Sequence, residues 1–115
     1  MLNLLGWTYA ERGVRLDRAI QVLKRAVSLA PSEGAIVDSL GWAYYQLGDL
    51  KQAVLLLDRA ARLSNNPEVY YHLARAYARQ GRRRQAVETL HRALRASPGY
   101  QPALEELRRL NGTGG

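Results

Sequence analysis

A motif that returns every 33 to 35 residues constrains this chain more than any other feature. Leu5-Gly6-x-x-Tyr9, Leu40-Gly41-x-x-Tyr44 and Leu73-Ala74-x-x-Tyr77 form one series. A second block follows each: Ala19-x-x-x-Leu23-x-x-Ala26, Ala53-x-x-x-Leu57-x-x-Ala60 and Ala86-x-x-x-Leu90-x-x-Ala93. Between the blocks stands a glycine, Gly13, Gly48 or Gly81, and Pro31 and Pro98 close the first and third units. Such a period marks stacked units, none of which can bury its apolar face alone.

Each block carries apolar or small residues at i, i+3, i+4 and i+7, the stripe of an amphipathic helix. Each glycine is placed to end the first helix, because it adopts the left-handed conformation at little steric cost. Gly6, Gly41 and Ala74, facing the alanines of the second blocks, let two helices approach closely. Leucine and tyrosine fill the space around that contact. The predicted unit is a helical hairpin.

The pattern resembles the tetratricopeptide repeat (TPR), whose units read W-x2-L-G-x2-Y, then A-x3-F, then P. The resemblance runs from residue 1 to about residue 110. Leu2, Val37 and Tyr70 stand at the leading Trp position, and Leu23, Leu57 and Leu90 at the Phe position. The first unit has one extra residue between Gly13 and Ala19. The second is one short, with Asn65 at the usual proline and Pro67 opening the next helix. The expected fold is all-α: a short right-handed α-solenoid of three hairpins plus a C-terminal capping helix. The expected single domain, 1–111, comprises repeats 1–33, 34–66 and 67–100 and a cap at 101–111, with 112–115 a flexible tail. In the cap, Leu104 and Leu107 fall on core positions. Arg108 replaces the small residue that a following helix would need, and Glu105, Glu106, Arg108 and Arg109 solvate the outside.

Composition removes several classes of function. Zero cysteines exclude disulfides, zinc ribbons and thiol nucleophiles. The longest apolar run, Ala53 to Leu57, falls far short of the ~20 residues that span a membrane. The Met1 end lacks a basic stretch before its apolar residues, so a cytoplasmic location is the default expectation. No P-loop, nucleophile elbow or H-E-x-x-H motif occurs. His72 and His91 lie on different helices without a second ligand at metal spacing. Glu105 and Glu106, adjacent on a helix, diverge. Neither an enzyme nor a bound metal or cofactor is expected.

Binding is the remaining role. The resemblance implies a concave groove, lined by the first helices, that holds a peptide segment of a partner protein. Spacing shows only which residues share that face: Asn3 and Trp7 from the first unit; Asp38, Ser39, Trp42 and Tyr45 from the second; Glu68, Tyr71, His72, Arg75 and Arg79 from the third. Trp7 and Trp42 occupy positions where Leu5, Tyr9, Leu40 and Tyr44 already supply core volume, and exposed tryptophan is a common hot-spot residue. The alternative is that both tryptophans fold down as packing. One branch of the family grips a chaperone C-terminus with Lys, Asn, Asn, Lys and Arg. Here those positions hold Asn3, Trp7, Ser39, Glu68 and His72, none of which matches.

Charge offers a rival. The net charge is +7, and residues after 66 hold nine basic against four acidic side chains. Arg82-Arg83-Arg84 could form a basic patch for an acidic protein or a nucleic acid. A solvated turn accounts for it equally well, and no two- or three-residue base code recurs along the repeats. Ala35 to Trp42 also resembles a stretch of longer bacterial TPR proteins, some of them lipid-anchored adaptors, which implies a periplasmic alternative. Met1, Leu5 and Thr8, beside Leu4, would leave an apolar face on the first helix, and homodimerisation through it is expected at high concentration.

Overall fold

The computed structural model describes the backbone of residues 9–114 and the side chains of residues 15–112. Among the described residues six helices follow one another: α1 (Tyr9–Leu29), α2 (Gly34–Leu47), α3 (Leu50–Leu63), α4 (Pro67–Arg79), α5 (Arg83–Ala96) and α6 (Gln101–Gly114). Helices α2 and α3 form one antiparallel hairpin and α4 and α5 a second. Each helix packs chiefly on its neighbours in the chain, and α2 also touches α4. Among the described residues there is no strand, and no helix is long and apolar enough to cross a membrane.

Local chemistry sets the helix ends. Gly48 and Gly81 take left-handed φ values of +94° and +80°, stopping α2 and α4 where the repeat pattern predicts. The Asp49 carboxylate accepts from the Gln52 backbone N–H at 3.2 Å and caps α3. Asn66 does the same for α4 at Glu68 N–H, 2.9 Å away, with Pro67 in the first turn where its missing N–H costs nothing.

Gly13 behaves differently. Helix α1 runs through it without a break, so the stop expected there is absent. Gly48 and Gly81 each precede their small residue, Ala53 or Ala86, by five positions, whereas Gly13 precedes Ala19 by six. The turn spacing of the other hairpins is therefore lost, and a helix-interior glycine costs only about 1 kcal/mol relative to alanine. In this continuous helix Ile20 and Val27 are buried, while the predicted core residues Ala19, Leu23 and Ala26 are half-buried. Met1, Asn3, Leu4, Leu5, Trp7 and Thr8, with the dimer face built on them, lie outside the described residues.

The two complete hairpins match the repeat pattern closely. Ala53, Leu57, Ala60, Leu73, Ala74, Ala86, Leu90 and Ala93 are all fully buried. A Cβ on Gly41 would lie 2.7 Å from Leu57 Cγ and 3.1 Å from the Leu57 backbone nitrogen. That glycine is where α2 and α3 touch.

Helix α6 corrects the sequence reading twice. Its sealed positions are Ala103, Glu106 and Leu110, with Leu107 packed beside them and Leu104 only half-buried. The helix turns its Ala103, Glu106 and Leu110 face inward, packing chiefly on α5. It also continues to Gly114, taking up residues 112–114, which the composition had suggested were tail.

Candidate functional site

The predicted face is built on α2 and α4 and bordered by α6. An aromatic stack lies at its centre. Trp42 stacks on Tyr45, one helical turn later, with centroids 4.3 Å apart and planes 5° from parallel. Trp42 also stacks across the inter-hairpin joint on His72 of α4, at 4.0 Å and 20°. His72 tilts against Tyr71, and Tyr71 meets Tyr100 edge-on at 6.2 Å. Offset and edge-on contacts of this kind suit the ring quadrupole. Trp42 is half-buried, its ring packed on Tyr45 and on His72 of the neighbouring hairpin.

Charge is sorted on either side of the stack. Asp38, nearly buried, receives the His72 Nδ1 contact at 2.9 and 3.2 Å. With a carboxylate accepting, that nitrogen carries the proton. Glu68, well exposed, stands 4.0 Å from His72 Nε2. Burial pushes the Tyr100 phenol above its ordinary range, and the nearby charges of Glu68 and Asp38 push the same way. This edge is acidic.

The opposite edge is cationic. The Arg75 guanidinium lies 5.9 Å from the Tyr45 centroid and 5.7 Å from that of Tyr71, and donates to Tyr71 Oη at 2.7 Å. Arg79 sits 5.0 Å from the Tyr45 centroid. Both distances suit cation–π attraction. Burial pulls the Arg75 pKa down, but the bond to Tyr71 and the fields of Tyr45, Tyr71 and Glu106 outweigh it, leaving the value raised. The hydrogen bond to Glu106 and that carboxylate's charge also raise Arg109.

Of the residues predicted for this face, Asp38, Trp42, Tyr45, Tyr71, His72, Arg75 and Arg79 meet in one contiguous network. Ser39 is exposed and spends its hydroxyl on the Ala35 carbonyl, 3.0 Å away. Asn3 and Trp7 lie outside the described residues. Arg82, Arg83 and Arg84 are exposed at the turn into α5. Arg82 donates to Gln80 and lies 5.4 Å from the Tyr77 centroid, away from the stack.

Sequence reasoning missed Glu106, Arg109 and Tyr100. Glu106 is buried, where a solvated position was expected; it accepts from Arg109 Nε at 3.1 Å and again from Arg109 Nη2. Its Oε2 stands 4.0 Å from Arg75 Nε. A signal existed. Asp38, His72 and Glu106 follow one another at intervals of 34, so the column continues into α6.

Comparison with known proteins bears on the family and the fold. Family models described as tetratricopeptide repeats match residues 1–33 and 67–107, and one described as a TPR repeat matches 41–81. A TPR repeat-containing protein of Pseudomonas aeruginosa is 39% identical over 72 residues, which is 63% of this chain and 12% of that relative. The chain thus spans a small part of that relative's length. Among solved structures, the first TPR of Spaghetti (RPAP3), bound to the HSP90 peptide SRMEEVD, superposes with a TM-score of 0.82. It is 21% identical, over 91% of this chain and 83% of that one. YrrB, a TPR protein with an unusual peptide-binding site, gives 0.77 at 22% identity over 81% and 48%. At those identities the likeness establishes the fold. With repeat models that together match residues 1–33 and 41–107, and two hairpins packed as the motif requires, this chain belongs to the tetratricopeptide-repeat family.

Proposed function

We propose that the face formed by α2 and α4 binds a peptide segment of a partner protein, making the chain a non-enzymatic interaction scaffold. The observation that carries this reading is Trp42. Its ring is half-buried on the shared face, while Leu40, Gly41, Leu57 and Leu73 close the core beneath. Two proteins of the same fold are described by their peptides or peptide-binding site, which supports the reading.

Replacing Trp42 with alanine should weaken partner capture by roughly 2 kcal/mol or more, the hot-spot range. Each lost ring pair also costs about 0.5–1.5 kcal/mol of stability, so thermal melting must accompany the binding measurement. A pull-down with wild type against Trp42→Ala, Arg75→Ala tests the proposal. Capture unchanged by the double variant sinks it. The rival reading through Arg82, Arg83 and Arg84 has only their exposure in its favour.

A further inference from the structure

Two guanidinium groups lie at the Tyr45 end of the face: Arg75 and Arg79 stand 5.9 and 5.0 Å from the Tyr45 centroid. Glu106 is the carboxylate that binds in this cluster, and it is committed to Arg109 through two contacts. At 4.0 Å from Arg75 Nε, Glu106 is too distant to hydrogen-bond there. Arg75 spends one of a guanidinium's several N–H donors on Tyr71 Oη. Among the described residues, Glu106 is held by Arg109, and the charges of Arg75 and Arg79 leave this edge positive.

The other edge repels anions, since Asp38 and Glu68 flank His72 there. A ligand crossing the aromatic stack therefore meets opposite fields on its two sides. We infer that the partner segment carries an aspartate or glutamate side chain that docks on the Tyr45 edge against Arg75 and Arg79. This rests on the peptide-binding reading above and specifies its ligand. Arginine's planar fork matches a carboxylate with two parallel hydrogen bonds. Anchoring on Tyr45 and Tyr71 restricts the guanidinium groups beforehand, which lowers the ordering cost of binding. A side-chain carboxylate suits the site better than a chain terminus, because the main chain can then continue across Trp42 toward His72.

The probe is a library of random peptides displayed with their C-termini joined to the carrier, so that no free terminal carboxylate is offered. It is selected on wild type and counter-screened on Trp42→Ala. Binders that need Trp42 are expected to carry Asp or Glu at a fixed position. Changing that acid to Asn or Gln in the synthetic peptide should weaken binding by about tenfold or more, the usual value of a charge-assisted contact. The loss should largely vanish on Arg75→Gln, Arg79→Gln protein, as a double-mutant cycle requires of partners in contact. Arg79 is exposed, so Arg79→Gln alone replaces the double variant if that one melts early. Trp42-dependent binders without an acid, with an acid indifferent to the arginines, or needing a free C-terminus overturn the inference and leave the peptide-binding face standing. Selection of no Trp42-dependent peptide overturns both.

Discussion

Glu106 shows how much one side chain on this face can matter. It is a carboxylate at 6% exposure, and burying an anion is costly unless it is paired and hydrogen-bonded. Arg109 supplies the bonds and Arg75 a second positive charge. Glu106→Gln keeps the shape and removes the charge, so we expect a loss of about 1–2 kcal/mol in chemical denaturation, near the value of a charged hydrogen bond. Because Arg109 is more than half exposed and can return to water, the loss stays below that for a fully buried pair. A midpoint equal to wild type would show that the pair contributes nothing. The aromatic and basic residues of α2 and α4 were legible because helical spacing fixes which side chains share a face. Glu106 was not: adjacent glutamates read as solvent-facing until α6 turns its Ala103–Leu110 stripe inward.

At the scale of the helix, the three repeat glycines look equivalent in sequence and are not. Gly48 and Gly81 have positive φ, a conformation that costs other residues about 1–2 kcal/mol. Gly13 is helical. Gly48→Ala should therefore destabilise by about 1–2 kcal/mol, whereas Gly13→Ala should stabilise by about 0.4–1 kcal/mol, by restricting the unfolded chain at a compatible position. Opposite shifts in melting temperature are the expected result, and a destabilising Gly13→Ala would contradict a continuous α1. Gly41 tests packing rather than conformation. With Leu57 already 2.7 Å from where a Cβ would sit, Gly41→Leu must separate α2 from α3 at a cost of about 1–3 kcal/mol. An unchanged melting temperature would refute the close approach. The pattern located Gly41 because small residues at a helix crossing leave a periodic trace. It misjudged Gly13 because a single added residue changes turn spacing without changing the motif.

Across the whole molecule, packing is between neighbours in the chain, so stability behaves as a sum of helix and interface contributions. Helices α3 and α4 are covered on both sides, while α6 packs chiefly on α5. Hydrogen exchange should accordingly be slowest in α3 and α4 and faster in α6, since local opening follows local contact. Uniform protection from α2 to α6 would instead indicate one all-or-none unit. The second and third hairpins were legible because a fixed period requires fixed stacking; the first was not, since α1 runs through Gly13.

The contact of α2 with α4 has a mechanical consequence. Adjacent hairpins can bend against each other, and that joint sets the curvature of this stretch of the array. It is fastened by His72 reaching back to Asp38 and by the Trp42 ring laid across the gap. Both fasteners sit on the face proposed to bind a partner. Any ligand that grips Trp42 therefore also holds the angle between the hairpins, stiffening the array where it is occupied. Neighbouring repeats would then inherit a direction as well as a cargo.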